Sequence, residues 1–221
     1  MEILNVTSKV LETLREKIIV GELKPGYKLN ELEISMNLGI SRPPLREALR
    51  ILEKDSMVVN VPRKGTYVSE LSLKDFIEVS QTREMIESYS IDLLKASNTR
   101  SLPKVETALQ EALRLPSPFL SDDPQESIKN IRIMLDFHSR LVEATENSIL
   151  ARIYNSIGYT LARYQYIYFH INDAALHSMD DHKRVLELIG RGDFDLAKEE
   201  LKKHIGYTVE LVKNRVIHRV F

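Results

Sequence analysis

The sequence predicts a mainly α-helical protein in two parts: three short helices with a β-hairpin, then an all-α helical bundle. Two observations carry this expectation. Apolar residues recur at helical spacing along most of the chain, and the one β-branched stretch is "MVVNVPRKGTYVSEL" at residues 57–71. Beyond Ser72 no such stretch returns, and the punctuation is that of helix ends: Pro103, Pro116, Pro118, Pro124, Gly190 and Gly192.

The elements follow in order. Residues 6–20 place Val10, Leu11, Leu14 and Ile18 on one helical face, and Gly21 follows as a stop. "KPGYKL" supplies a Pro-Gly turn and a short extended piece. Asn30 is suited to cap a second helix, with Glu33 three residues on in a variant of the capping box. Its apolar positions are Leu32, Ile34, Met36 and Leu38, and Gly39 ends it. A third helix opens at Ser41 and runs to about Lys54. The β-branched stretch then reads as two strands joined at "PRKG". Three helices and a hairpin in this order make a winged helix-turn-helix, which we assign to residues 1–70.

Residues 71–221 form the second, helical domain. Helices are expected over 73–96, 102–114, 124–145, 148–169, 178–190 and 193–216. Ser72, Ser101, Asp123, Asn147 and Asp193 are their start signals, and 115–124 is the most loop-like stretch.

Composition narrows the function. Hydrophobic residues make up 43% and charged residues 29% of 221, enough apolar material for a real core. The net charge of -1 gives no global attraction to nucleic acid or anionic membrane, so a case for either must rest on local clustering. Cysteine is absent, which excludes a disulfide framework, a thiolate metal site and a cysteine nucleophile. The charged N-terminus lacks the apolar region of a secretory signal, and no stretch is apolar enough to span a membrane. A cytoplasmic protein without a membrane partner is expected.

The third helix, "SRPPLREALRILE", carries the local charge. Arg42, Arg46 and Arg50 share one face, while Leu45, Leu49 and Leu52 lie towards the other. Pro43 and Pro44 start the helix where the backbone N–H groups have no helical partner, and Ser41 can cap it. A helix pushed end-first into a major groove needs this division, because arginine can fork onto guanine O6 and N7 or grip phosphate. Arg63 and Lys64 in the hairpin turn, beside Gly65, would add a second contact in the minor groove. The bland alternative is a solvated face with Arg paired to Glu47 or Glu53.

Of six histidines, three stand out: His138 in "LDFHSRL", His182 in "MDDHKRV" and His204 in "LKKHIGY". The last two flank the "GRGD" turn of a helical hairpin, so antiparallel helices could bring their rings to similar depth. Neutral imidazoles meeting in a bundle suit a divalent transition metal, zinc or nickel, although lone helical histidines are more often surface or supporting residues. His170 and His177 are candidate rim residues. The aromatic run "YQYIYF" at 164–169 reads as core and dimer packing.

The stretch from "IIVGELKPGYKLNELEISMNLGISRPPLREALRILEKD" through "KGTYV" resembles the DNA-binding half of GntR-type bacterial transcription regulators, over residues 10–70. The resemblance implies that Arg42 and Arg46 touch operator bases or phosphates and that Gly65 sits at the wing tip. Ser56 stands where the family usually has glycine, and Leu32 stands where one regulator has a further DNA-contacting arginine. The remainder resembles the FCD effector domain of the FadR subfamily. That resemblance makes His138, His182 and His204 metal ligands, with an aspartate expected four residues before the first. Met134 occupies that position, and Asp136 lies on another helix face. The site is then three-histidine, completed by water or effector, or its metal affinity is reduced. "TREMIES" resembles the segment whose arginine, here Arg83, faces the cavity and pairs with an acid ligand; the rival role is an internal ion pair with Glu87.

The sequence thus reads as a dimeric, ligand-responsive transcription regulator, a repressor by family analogy and not an enzyme. Its partners would be a near-palindromic double-stranded DNA operator and a small organic acid. The rival from another class is a metal-dependent hydrolase, against which stands the absence of HExxH, nucleophile-elbow and P-loop motifs.

Overall fold

The computed structural model describes the backbone of residues 2–115, 121, 123–169 and 175–216, and the side chains of all of these except 2–5, 167–169, 175–178 and 214–216. The chain divides into two compact units, Met1–Leu71 and Ser72–Phe221.

The first unit contains α1 (Glu2–Ile19), β1 (Lys28–Leu29), α2 (Glu31–Asn37), α3 (Arg42–Lys54), β2 (Val58–Val61) and β3 (Gly65–Val68). Its sheet has three strands, not the two expected from the hairpin: order β1-β3-β2, antiparallel, with Lys28 opposite Tyr67 and Val59 opposite Tyr67 on the other side. A two-residue strand exists only through its partner, so periodicity cannot reveal it. Leu14, Ile18, Leu29, Leu45, Leu52 and Met57 are buried in the unit's core. They hold α3 from behind, which fixes what its other face presents to solvent.

Two local expectations need correction. The four apolar positions of α2 do not form a buried face: Leu32, Met36 and Leu38 are exposed, and Ser35 is the buried residue of the helix. Leu32 and Met36, four residues apart, share one face and it is the exposed one, while Ile34 is half-buried. Ser41 flanks α3 in extended conformation but makes no side-chain cap bond. A capping oxygen accepts from the second or third helical N–H, and those residues are Pro43 and Pro44, which have none. Asn30, by contrast, caps α2, its Oδ1 accepting from the amides of Leu32 and Glu33.

The second unit contains α4 (Leu73–Ala96), α5 (Pro103–Ala112), α6 (Pro124–Glu143), α7 (Ser148–Phe169), α8 (Ala175–Arg191) and α9 (Phe194–Val216). Ser72 caps α4 through Asp75 N–H, and Asp123 caps α6 through Gln125 N–H. Asn147 accepts from Leu150 N–H at the start of α7. Ser101 does not cap; α5 is entered from Leu102 with Pro103 in its first turn. Helix α4 packs on α6, α7 and α9, and α8 packs on α5 and α9. Phe137, Ile91, Leu94, Leu141, Ile189 and Leu201 are fully buried in the shared core. Ser72, Asp123 and Asn147 act within one turn, which is why those helix starts were readable. The expected 178–190 begins three residues after the observed start of α8, and the expected 102–114 and 124–145 overrun the observed ends of α5 and α6 by two.

Candidate functional site

Two constellations emerge, one exposed on the first unit and one buried in the second. On α3, Leu45, Ala48, Leu49 and Leu52 are buried, while Arg42, Arg46 and Arg50 all point to solvent. The side chains of Arg46 and Arg50 are 59% and 75% exposed. Arg46 Nε donates to Glu31 Oε2 at 2.8 Å, and Arg50 lies 3.5 Å from Glu47. The Arg46 bond uses Nε, so the two terminal nitrogens take no part in it. Ser41 and Pro43 are exposed at the helix start, whereas Pro44 is buried against the core.

The wing turn has a defined geometry. Lys64 N–H donates to Val61 C=O, Pro62 follows Val61, and Arg63 has φ +64°. Proline followed by a left-handed residue is the arrangement of a type II turn, which favours glycine at the third position. Here an arginine stands there, with its side chain exposed next to Lys64. Gly65 follows at φ +111° and begins β3. At Ser56, where glycine was expected from the resemblance, φ is +57°, so the backbone keeps the glycine conformation without the glycine.

The second constellation joins five helices. Arg83 and Glu87 lie one turn apart on α4, His138 is on α6, Tyr154 on α7, Asp181 and His182 on α8, and His204 on α9. Arg83, Glu87, His138, Tyr154, His182 and His204 are all buried. Glu87 accepts at both oxygens: Oε1 from Arg83 Nε at 2.8 Å and from Tyr154 OH at 2.6 Å, Oε2 from His138 Nδ1 at 2.8 Å. With its proton on Nδ1, His138 presents a lone pair at Nε2, and Arg83 Nη2 sits 2.6 Å from it. His182 Nε2 and His204 Nε2 are 3.2 Å apart, and His204 Nδ1 is 3.2 Å from Asp181 Oδ2. His182 stacks on Phe137 with ring centroids 4.1 Å apart. Ligand atoms of His138, His182 and His204 all lie within 4.8 Å of one another.

Burial sets the charge states. It pushes the His138 imidazole down to about 3, with Arg83 adding to the effect and Glu87 opposing it. Burial likewise lowers His182, helped by its histidine neighbours, and lowers His204 despite Asp181. For Glu87 burial alone would raise the pKa, but Arg83, His138 and Tyr154 hold it far below the usual carboxylate range. The buried part of the cluster therefore contains neutral imidazoles beside the ionised Glu87 carboxylate and the Arg83 guanidinium.

Neutral nitrogens converging from three helices are the donor set a transition metal takes. His138 and His204 also have carboxylates on their second nitrogens, the outer support such ligands use. His182 Nδ1 has no hydrogen-bond partner among the described residues. The histidine nitrogens fit a metal, but no carboxylate joins them. Met134 is part of the apolar core, and Asp136 pairs with Arg140. Sequence reasoning placed the histidines and offered Glu87 as Arg83's partner, but it missed Tyr154 and Asp181. Tyr154 meets Glu87 across 67 residues and Asp181 meets His204 across 23, so no local spacing marks either. His170 and the side chain of His177 lie outside the described residues, as do the side chains of 167–169 in the aromatic run. Within that run Tyr164 is buried and bonds to the backbone of Ser72.

A winged helix-turn-helix with an outward cationic helix, followed by a helical unit with a buried histidine cluster, defines the class of transcription regulators. Residues 6–68 match the family of bacterial regulatory proteins, gntR family, and residues 78–207 match the FCD domain. The chain belongs to the GntR family of DNA-binding transcriptional regulators and carries an FCD domain. It is 25% identical to the HTH-type transcriptional regulator YdhC of Bacillus subtilis, over 91% of this chain and 88% of that protein. It is 27% identical to a probable D-xylose utilization operon transcriptional repressor of Paenarthrobacter nicotinovorans, over 90% and 85%. The fold is shared with E. coli McbR/YncC, at TM-score 0.72 and 21% identity, covering 95% and 97% of the two chains. Among the described residues no helix is long and apolar enough to cross a membrane.

Proposed function

We propose that this regulator is a repressor that binds a near-palindromic operator as a homodimer and is released by a small carboxylate. Helix α3 enters the major groove with Arg42, Arg46 and Arg50, while Ser41 and Pro43 lie at its leading end. Arg63, Lys64 and Gly65 bring the wing to the adjacent minor groove. The observation that carries this reading is the division of α3 into a buried leucine ridge and an exposed guanidinium face. The relative from Paenarthrobacter is a probable operon repressor, which supports that sign here. Exposed apolar pairs one turn apart, Met85 with Tyr89 on α4 and Ile149 with Ile153 on α7, support a dimer face on the second unit.

The effector site is the buried cluster. Arg83 anchors the acid, and His138, His182 and His204 would hold zinc or nickel. Such a metal supplies a Lewis-acidic centre on which an acid ligand can be held. Glu87 and Asp181 orient the imidazoles, and the apolar wall of Phe137 and Met134 excludes water. Hydrolase chemistry is disfavoured by the same geometry, because Glu87 is committed to Arg83, His138 and Tyr154 and is not placed to act as a base.

The test is an operator-binding titration against the DNA upstream of the protein's own gene. Arg46→Ala should weaken binding by about 1–3 kcal/mol and relax preference at the base it reads, while leaving the fold intact. Unchanged binding and selectivity in that variant would sink the reading.

A further inference from the structure

We propose that Arg83 and a divalent metal compete for one lone pair, that of His138 Nε2, so that metal loading releases the Arg83 guanidinium from the histidine cluster. This rests on the metal reading above and adds a switch to it.

The first ground is occupancy. Glu87 Oε2 lies 2.8 Å from His138 Nδ1, which puts the proton there and the single in-plane lone pair at Nε2. Arg83 Nη2 is 2.6 Å from that nitrogen. An imidazole nitrogen cannot serve a guanidinium N–H and a metal at once. The second ground is charge. Arginine stays protonated in proteins, so a dication arriving among the three histidines meets a fixed positive charge at hydrogen-bonding distance from one of its ligands. Met134 gives no compensating carboxylate.

The exchange is balanced. If Arg83 leaves, Glu87 keeps Tyr154 OH and His138 Nδ1–H as donors, and the metal behind His138 replaces the departed positive charge. On its other side Arg83 borders a small cleft lined by Ser80, Tyr164, Gln165 and Thr208 together with apolar Phe76, Leu161 and Ile205, with no carboxylate in the lining. A guanidinium released from His138 has terminal nitrogens free for a small carboxylate, so metal and acid bind with positive, reciprocal coupling.

The experiment measures zinc binding to the full chain by competition with a chromophoric chelator. Arg83→Gln should bind zinc about 10–100-fold more tightly than the wild type, and Arg83→Lys, which keeps the charge, should gain less. Equal or weaker zinc binding by Arg83→Gln overturns the competition and leaves the metal site standing. No zinc binding by either protein overturns the metal reading and the switch together. A second measurement needs no variant: in the wild type, zinc should shift the ¹⁵N resonance of the Arg83 side chain. Binding of zinc without that shift overturns the proposal.

Discussion

In the first unit Arg46 Nε donates to Glu31 at 2.8 Å; in the second, Arg83 Nε donates to Glu87 at the same 2.8 Å. The bonds match, but their surroundings do not. The Arg46 side chain is 59% exposed, whereas those of Arg83 and Glu87 are 3% and 0% exposed. An exposed pair contributes roughly 0–1 kcal/mol and is readily exchanged for a phosphate or a base edge. A buried pair is expensive to break from one side, because the remaining charge has no water to turn to. On the function proposed above, the first unit's exposed arginines are free to exchange their partners for DNA, whereas the second unit's arginine sits inside a closed network that a ligand would have to rearrange.

The largest expected effect tests that contrast. Glu87→Ala leaves Arg83 and His138 without their shared acceptor and should cost about 3–5 kcal/mol in denaturant unfolding. Glu31→Ala is the matching control at the surface, and a similar loss there would erase the distinction.

Next is the response to acid, measured on chelator-treated protein. The unfolded histidines take up protons near pH 6.5, while folded His138 does so only at about 3. Between these values the unfolded state holds more protons, so stability falls as pH drops below 6.5 and is level above it. His182 and His204 act in the same direction. Each contributes up to about 1.4 kcal/mol per pH unit within its window. Glu87, whose pKa is depressed, adds stability above 4.5 that is lost on further acidification. A Tm that rises between neutrality and about pH 5 would mean that the buried rings are charged.

The smallest effects sharpen the picture of the exposed unit. Ser56 and Arg63 both occupy left-handed backbone, at φ +57° and +64°. Replacing either with glycine should stabilise the fold by about 0.5–1 kcal/mol after glycine's greater chain entropy is counted. Ser56→Gly should leave operator affinity unchanged, while Arg63→Gly should weaken it. Equal affinities would show that the strained arginine at the wing tip has no role at DNA.

The elements were legible to different degrees for one reason, the range of the interactions that define them. The expected helix 73–96 is α4, Leu73–Ala96, and 148–169 is α7, Ser148–Phe169, because Ser72 and Asn147 act on amides in their own first turn. The division of α3 into leucine and arginine faces was readable because helical geometry ties residues three and four apart. The extended piece at Lys28–Leu29 was readable but its pairing with β3 was not, nor was the exposure of Leu32 and Met36, since both depend on what the rest of the fold sets against them.

The sequence by itself determined the helices, the cationic face, the hairpin turn and the histidines worth watching, all through contacts within a turn or two of chain. Only the tertiary structure decided that Arg83 rests on His138, that Glu87 serves three partners and that Tyr154 and Asp181 belong to the cluster. Those decisions are made where five helices meet, across separations of 22 to 67 residues, and no one-dimensional spacing encodes a distance closed by packing.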